Sequence, residues 1–332
     1  MGKVAITVAT APYGRTEALR TGAVQVEGVD LHYLCMSVEE IFWRMLRHQE
    51  FDASEMSLSS YLIARDRGHP QLIAIPVFPF RTFRHGSIFI NTASGIRAPA
   101  DLRGKRVGVP EYEITASVWI RGILEHEYGV RPQDVTWFSG GEEEPGRTDK
   151  SRLELPPEVV VRPIPPHTTL DAMLVAGEID ALVAARMPRS LVEGDPRVAR
   201  LFPDYRTVEE AYYRKTGIFP IMHCVCLRRD VHERHPWLAK NLEKAFSEAK
   251  RRWEEALWRG AVEHIAIPWF LAELEAELKV FGREGLWPYG LGPGNRKVLE
   301  TFIDYSYEQG LIRRRPTIEE LFAESTLDQF RV

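Results

Sequence analysis

Long apolar runs, an excess of basic charge and abundant cysteine are all missing from this chain of 332 residues. No segment approaches the roughly 20 apolar residues that span a bilayer. The N-terminal stretch MGKVAITVAT is typical of a strand and not of a secretory signal. The formal net charge of -4 argues against a broad nucleic-acid surface, which needs clustered Lys and Arg. We therefore expect no membrane partner and no nucleic-acid partner.

Cysteine is scarce, with only Cys35, Cys224 and Cys226 in the chain. The last two would share one face of a strand and could not easily bridge each other. We therefore expect buried, reduced thiols in a cytoplasmic protein. No GxGxxG or Walker-type sequence occurs, so nucleotide phosphate binding has no support. The histidines of HERH (232–235) lack a third ligand at a matching spacing, so we expect no metal site.

Short β-branched runs alternate with helical patterns along the first part of the chain. Ser37 and Glu40 have capping-box spacing, which predicts a helix over 37–49. The predicted strands are 3–9, 31–36, 71–78, 87–91, 105–110, 135–138, 159–164 and 179–184, and the further predicted helices are 115–129, 169–178, 237–259, 268–281 and 295–309. A long polar loop is predicted from 139 to about 157. The alternation indicates an α/β protein with parallel sheets covered on both faces.

After residue 227 the sequence pattern changes and predicts mostly helices. C-terminal helices of an α/β chain often pack back on the first domain, so we expect a discontinuous arrangement. The first lobe is predicted to contain 1–91 plus 221–332, and the second lobe 92–220. The crossovers between lobes are predicted near 88–92 and 220–226.

Several stretches are similar to known proteins. The segment RAPADLRGKRVGVPEYEITASVWIRGIL (97–124) resembles the start of the second lobe of the type II periplasmic-binding-protein fold. The stretches FRHGSIFIN, GVPEYEITASVWIRG, WFSGGEEEPGR, LDAMLVAGEIDALVAARMP and WPYGLGPGNR resemble 4,5-dihydroxyphthalate decarboxylases, and the resemblance covers nearly the whole chain. It implies two lobes, each a mixed or parallel sheet flanked by helices, with extra C-terminal helices and a ligand cleft between the lobes.

The resemblance also implies an activity. Members of this family remove CO2 non-oxidatively from an aromatic dicarboxylate, giving protocatechuate, in the cytoplasm and without a cofactor. Such chemistry needs an acid near the ipso carbon and a positive clamp for the carboxylate that stays. The partner is then a small aromatic carboxylate, and the sequence leaves a homo-oligomer open.

The stretch FPFRTFRHGS (78–87) lies near the predicted first crossover and offers two of these parts. Arg81 or Arg84 would clamp a carboxylate, and His85 could exchange a proton near neutral pH. His223, in GIFPIMHCVCL, lies at the predicted return crossover. Which histidine is the acid and which the base stays open, and each residue also has a plainer interpretation as a surface ion pair or a core residue.

Further candidates lie in loops at the ends of strands. In GVPEYEITAS (108–117), Thr115 is expected to be a helix N-cap whose neighbouring N–H groups bind a carboxylate together with Tyr112. Glu111 or Glu113 would act as an acid if burial raised its pKa. The remaining substrate-binding candidates are Arg15 after the first strand, Ser57 or Ser59 at a helix start, and Arg186.

Three other functions compete with the decarboxylase. The first is a solute-binding protein of a transporter for a small carboxylate. The second is another cytoplasmic lyase or biosynthetic enzyme on the same scaffold, such as a lyase of the alternative menaquinone pathway or a pyrimidine-precursor synthase. The third is a metal-assisted decarboxylase of another substrate.

Overall fold

The computed structural model describes residues 2–69, 71–146, 153–282 and 286–328, with the backbone alone for 261–264. The chain forms two compact units. The first contains Met1–Arg81, Ile221–Leu299 and Pro316–Val332, and the second contains Thr82–Pro220 and Glu300–Arg315. The chain thus leaves the first unit after residue 81, where the sequence predicted 91, and residues 300–315 group with the second unit. Of the polar loop predicted at 139–157, residues 147–152 lie outside the described residues.

The strands and helices follow in chain order. The strands are β1 (Val4–Thr10), β2 (Val29–Cys35), β3 (Ala53–Ser57), β4 (Leu72–Ile75), β5 (Ile88–Asn91), β6 (Arg106–Val109), β7 (Thr136–Ser139), β8 (Val160–Pro163), β9 (Ala181–Val183), β10 (Val198–Arg200) and β11 (His223–Arg228). The α-helices are α1 (Glu17–Arg20), α2 (Val38–His48), α3 (Leu58–Asp66), α4 (Thr115–Tyr128), α5 (Leu170–Ala176), α6 (Arg189–Val192), α7 (Tyr205–Thr216), α8 (Arg229–Arg234), α9 (Trp237–His264), α10 (Phe270–Phe281), α11 (Pro293–Glu308) and α12 (Ile318–Leu321).

The first unit contains a mixed five-stranded sheet in the order β2-β1-β3-β11-β4. β1 runs parallel to β2 and β3, whereas β11 runs antiparallel to β3 and β4. Alternating apolar residues such as Ile6 and Val8 send one face of β1 into the core. Helix α9 contributes Leu238, Leu242 and Phe246 to the same core, at the spacing of one helical face.

The second unit contains a mixed six-stranded sheet in the order β10-β5-β9-β6-β7-β8. β6 pairs in parallel with β7 and β9, and β7 with β8, whereas β5 runs antiparallel to β9 and β10. Phe89, Leu170, Leu174 and Leu182 form the centre of its apolar core. The mixed sheets with flanking helices confirm the predicted α/β class.

Local sequence signals account for most of these elements. The predicted cap of α2 is confirmed, because the N–H of Glu40 donates to Ser37 Oγ at 3.3 Å. β3 and α7 were not predicted as separate elements, and β4 is shorter than the strand predicted at 71–78. Within the described residues, no helix is both long enough and apolar enough to cross a membrane.

Candidate active site

Two neighbouring strands of the first unit bring a glutamate and a histidine together. β3 pairs antiparallel with β11, and His223 lies opposite Ser57. Glu55 precedes Ser57 by two residues, so the side chains of Glu55, Ser57 and His223 share one face of the sheet. The Nδ1 atom of His223 lies 2.6 Å from Oε1 of Glu55. Two predicted site residues, Ser57 and His223, thus lie beside a carboxylate that the sequence did not identify.

Glu55 is fully buried, with 0% of its surface exposed. Its Oε1 accepts from His223 Nδ1 and from the Tyr13 hydroxyl, each at 2.6 Å, and its Oε2 accepts from the N–H of Ala11 at 2.9 Å. Burial alone would raise the pKa of Glu55, but the hydrogen bonds and the His223 charge outweigh it and lower that pKa. The carboxylate is therefore ionised near neutral pH.

Tyr13 is the neutral member of this group. Burial, and after it the negative charge of Glu55, raises the pKa of Tyr13 well above its usual range. Its hydroxyl therefore keeps its proton and donates a hydrogen bond to Glu55. Tyr13 follows β1, in the loop where the sequence predicted Arg15 to face a ligand.

Two aromatic rings hold the imidazole of His223. The Phe42 ring meets it edge-on at 5.0 Å between centroids, and the Phe80 ring lies 5.2 Å away. Tyr13 stacks on Phe80, with 6.4 Å between the ring centroids. The His223 side chain is 12% exposed, and Nδ1 is the ring nitrogen bonded to Glu55. The ring is thus oriented by its partners and remains partly exposed.

Arg15 is fixed close to Tyr13. Its Nε donates to the carbonyl of Pro79 at 2.7 Å, and its Nη2 donates to the same oxygen. The guanidinium carbon lies 4.1 Å from the Tyr13 ring centroid and 4.3 Å from that of Trp287. Burial lowers the pKa of Arg15, while Tyr289, Tyr13 and Glu55 favour its charged form. Nη1 takes no part in the contact with Pro79. The guanidinium group is therefore held in place through its other two nitrogens and the flanking rings.

Arg81 is braced by the WPYGLGPGNR stretch of the same unit. Its Nη2 donates to Oδ1 of Asn295, whose Nδ2 donates to the carbonyls of Pro288 (3.1 Å) and Gly290 (2.7 Å). Arg81 is only 3% exposed. The hydroxyl of Tyr289 is buried, which raises its pKa, and it interacts with the charges of Arg15, Glu55 and Arg81. Arg15 lies against Tyr13, which bonds Glu55. Arg81 follows Phe80, whose ring packs against His223, and its backbone forms a bridge with Ile221.

Two further predicted residues, Arg84 and His85, lie in the second unit. Arg84 Nη1 donates to the carbonyl of Ala185 at 3.0 Å, and burial lowers the pKa of Arg84 to about 10. His85 is 2% exposed and packs against the rings of Phe202 (5.5 Å) and Tyr212 (5.1 Å). Burial lowers the pKa of His85 to about 4, so its ring is neutral near pH 7. A catalytic role for His85 stays a prediction.

The GVPEYEITAS stretch also lies in the second unit, before α4. The expectation that Thr115 is the N-cap is wrong: Ile114 holds that position with extended backbone, and Thr115 is the first helical residue. Tyr112 lies with its ring 3.6 Å from the guanidinium carbon of Arg121, and Glu111 and Thr115 are both buried. Arg186, in contrast, is exposed. Substrate binding by these residues stays a prediction.

The structure therefore divides the predicted residues into two groups. Within the first unit it brings together Arg15, Ser57, Arg81 and His223, and within the second unit it holds Arg84, His85, Glu111, Tyr112, Thr115 and Arg186. Glu55, Tyr289 and Asn295 were missed as site residues. No clear signal in the sequence identified Glu55, because β3 was not predicted and only the structure shows that this strand is buried along its whole length. Among the described residues, no group of three or more His, Cys, Asp or Glu side chains could hold a metal ion.

Comparison with known proteins is decisive at the level of family. The chain is 38% identical over 332 residues to 4,5-dihydroxyphthalate decarboxylase of Comamonas testosteroni, which covers 100% of both chains. The chain belongs to the 4,5-dihydroxyphthalate decarboxylase family. A relative of the same name from Pseudomonas putida is 44% identical over 214 residues, covering 64% of this chain and 83% of the relative. The predicted family resemblance is confirmed.

Other similarities concern the fold. Residues 17–145 match the family model of the periplasmic substrate-binding protein of phosphonate ABC transporters. The aliphatic sulphonate binding protein SsuA of Escherichia coli aligns with a TM-score of 0.57 at 14% identity, covering 99% of this chain and 100% of that one. The alkanesulfonate-binding SsuA of Xanthomonas axonopodis, solved with bound MOPS, also gives 0.57 at 14% identity, with 97% and 99% covered. The predicted periplasmic-binding-protein-like fold is confirmed.

Proposed function

We propose that this chain catalyses the non-oxidative decarboxylation of 4,5-dihydroxyphthalate to protocatechuate and CO2, as a carboxy-lyase. The relative that aligns from end to end bears the name of this activity. The observation that carries the proposal is the Glu55–His223 pair in the same unit as the fixed cations Arg15 and Arg81. It combines an imidazole that can carry and transfer a proton with guanidinium groups that bind carboxylates.

The proton of the reaction comes from His223 in this proposal. Protonated Nε2 gives its proton to the ipso carbon: the N–H bond breaks, its electron pair stays on nitrogen, and a ring π pair forms the new C–H bond. The hydroxyl para to that carbon stabilises the resulting positive charge. The C–C bond to the carboxylate then breaks, its electron pair restores the aromatic ring, and CO2 departs. His223 regains a proton from water, so one proton is consumed for each CO2 released.

Arg15 and Arg81 bind the carboxylates. Both are fixed before substrate arrives, Arg15 by the carbonyl of Pro79 and Arg81 by Asn295. Because these contacts already restrict the side chains, little rotamer entropy is lost when a carboxylate binds. Ser57 adds a hydroxyl beside His223. Contributions to the reaction are also proposed, from the sequence alone, for Arg84, His85, Glu111, Tyr112, Thr115 and Arg186.

The compartment proposed for the reaction is the cytoplasm. Cys35, Cys224 and Cys226 are all free thiols, and Cys35 is exposed. Free exposed thiols are typical of reducing compartments.

The test is to incubate the purified chain with 4,5-dihydroxyphthalate while measuring CO2 and protocatechuate. We expect equal amounts of the two products. His223→Asn should lower kcat by about 10²- to 10⁴-fold, the usual worth of a general acid. Arg15→Ala and Arg81→Ala should each lower kcat/KM by about 10- to 100-fold, the loss of one charged hydrogen-bonded contact. The exposed residues His32 and Arg47 provide matched controls as His32→Asn and Arg47→Ala.

The outcomes separate the competing functions. Binding of the dicarboxylate by calorimetry without any turnover would assign a solute-binding role instead. Turnover that disappears on exhaustive chelation and returns with a divalent metal would assign a metal-assisted reaction. Full activity in His223→Asn would overturn the role of His223 even if the reaction is correct.

A further inference from the structure

We propose that Glu55 is a positioning residue for this reaction: it holds the neutral imidazole of His223 in the tautomer with the proton on Nδ1. Nε2 is then the atom that exchanges a proton with the substrate. The tautomer depends only on residues of this chain, whereas the destination of the proton rests on the proposed function.

The hydrogen-bond partners of Glu55 define the tautomer of His223. An ionised carboxylate accepts hydrogen bonds and donates none. Since Oε1 of Glu55 lies 2.6 Å from Nδ1 of His223, that nitrogen must carry the hydrogen. The hydroxyl of Tyr13 and the N–H of Ala11 also donate to Glu55. Among the described residues, the carboxylate therefore acts only as a hydrogen-bond acceptor.

The same contacts keep Glu55 in place. Its two oxygens are held on different sides, Oε1 by Tyr13 and His223 and Oε2 by the backbone of Ala11, at 2.6 to 2.9 Å. Rotation of the carboxylate would break at least one of these bonds in a site where no surface of Glu55 meets solvent. Glu55 is therefore a rigid acceptor, as a residue that orients another must be.

The imidazole is restrained as well. Two rings pack against it, Phe42 at an interplanar angle of 85° and Phe80 at 43°. A flipped ring would replace the Nδ1–H donor with a C–H group against a charged oxygen and would forfeit the hydrogen bond. One ring orientation and one tautomer are thus favoured together.

Replacing the carboxylate with an amide creates a conflict that the structure defines. If the carbonyl oxygen of the amide in Glu55→Gln faces His223 and Tyr13, its NH2 group meets the N–H of Ala11, and two donors face each other. If the oxygen faces Ala11 instead, the NH2 group faces His223 and favours an unprotonated Nδ1. The variant therefore stabilises the tautomer with the proton on Nε2.

The experiment uses the full chain with selectively ¹⁵N-labelled histidine. The His223 signals are those that disappear in His223→Asn, and their shifts report which ring nitrogen carries the proton when the ring is neutral. In the wild type we expect the proton on Nδ1. In Glu55→Gln we expect a shift toward the Nε2-protonated tautomer, and a fall in kcat on the order of 100-fold or more with little change in KM.

Two further variants make the result specific. Glu55→Asp keeps the negative charge, and we expect it to restore the Nδ1-protonated tautomer and part of kcat. Glu27→Gln, at an exposed carboxylate of the same unit, is the matched control and should change neither the tautomer nor kcat. Circular dichroism of each variant establishes that it is folded, and if Glu55→Gln does not fold, the wild-type tautomer and Glu55→Asp decide.

Failure of this proposal is distinct from failure of the proposed function. A wild-type His223 with its proton on Nε2, or a folded Glu55→Gln with unchanged tautomer and unchanged kcat, overturns the role of Glu55. A wild type with the proton on Nδ1 that does not turn over 4,5-dihydroxyphthalate leaves the tautomer proposal standing and overturns the reaction.

Discussion

Replacing His85 with phenylalanine tests how acid acts on the second unit. His85 lies among the rings of Phe202, Tyr212 and Tyr128, and burial lowers the pKa of His85 to about 4 from 6.5. The carboxylates that face it are Glu209, 4.0 Å from Nδ1, and Glu127, whose charge only partly offsets burial. Folding therefore requires a neutral ring over a pH range in which the unfolded chain would protonate it.

The direction and size of the effect follow from the two pKa values. A folded pKa of about 4 below an unfolded value of 6.5 means that protons bind the unfolded chain more tightly. The penalty is absent above pH 6.5, grows as the pH falls below it, and levels off near pH 4. At about pH 5 the penalty is about 2 kcal/mol, from ~1.36 kcal/mol per pH unit over ~1.5 units. Because phenylalanine does not titrate, we expect the His85→Phe variant to lack that penalty.

The assay is urea unfolding at about pH 5 and about pH 8, followed by hydrogen exchange of peptides from the second unit. Any cost of fitting the larger phenylalanine ring is common to both pH values and cancels in the difference. His167→Phe removes an exposed histidine of the same unit and is the matched control. If wild type and His85→Phe lose the same stability between the two pH values, the buried neutral ring is refuted. His85 would then again be a good candidate for proton exchange near neutral pH.

Three further substitutions have defined outcomes. Gly122→Ala should destabilise the second unit by about 1–3 kcal/mol or more, because a Cβ would lie 2.0 Å from Cδ2 of Tyr305; urea unfolding measures this. Tyr61→Phe should cost the first unit about 1–3 kcal/mol in the same assay, because the buried hydroxyl bonds one backbone carbonyl and one N–H. Asn295→Ala should raise KM for the dicarboxylate by about tenfold, because it removes the brace of Arg81; initial rates measure this.

Each of these has an outcome that contradicts its reasoning. Gly294→Ala is the control for the first, because a Cβ there meets nothing within 4 Å, and equal urea midpoints for both alanine variants would refute the steric argument. An unchanged midpoint in Tyr61→Phe would mean that water replaces the hydroxyl. A large loss of kcat with unchanged KM in Asn295→Ala would show that Arg81 acts on the transition state and not on binding.

Local patterns were sufficient for much of the fold. Ser37 predicted the start of α2 because the capping interaction lies within one turn of the helix. The strand-helix alternation predicted the α/β class, since each element buries its own apolar face. The exit from the first unit was misplaced by about ten residues because β5 looks like any other apolar run, and only its pairing with β9 and β10 assigns it to the second sheet.

The candidate site was harder to predict because its bonds are long-range. Arg15, Arg81 and His223 stood out as charged or titratable residues at the ends of strands. Glu55 did not, because its partner His223 lies 168 residues away in sequence. An acidic residue in a strand is usually on a solvated face, and only the pairing of β3 with β11 makes this one a buried acceptor. Asn295, the partner that the WPYGLGPGNR stretch provides for Arg81, could not be predicted for the same reason, because it also lies far from Arg81 in sequence.

The net charge of the first-unit site matches the charge of the substrate before the proposed reaction and that of the product after it. Arg15 and Arg81 are cations and Glu55 is an anion, while nearby Glu254 is neutralised by Lys250 at 3.0 Å. With His223 protonated the site carries a net charge of about two positive units, which a dicarboxylate balances. After the proton has moved to the ring and CO2 has left, the site carries one positive unit and the product one carboxylate. Decarboxylation thus lowers the charge of both site and ligand from two units to one, which weakens their attraction and favours release of the product.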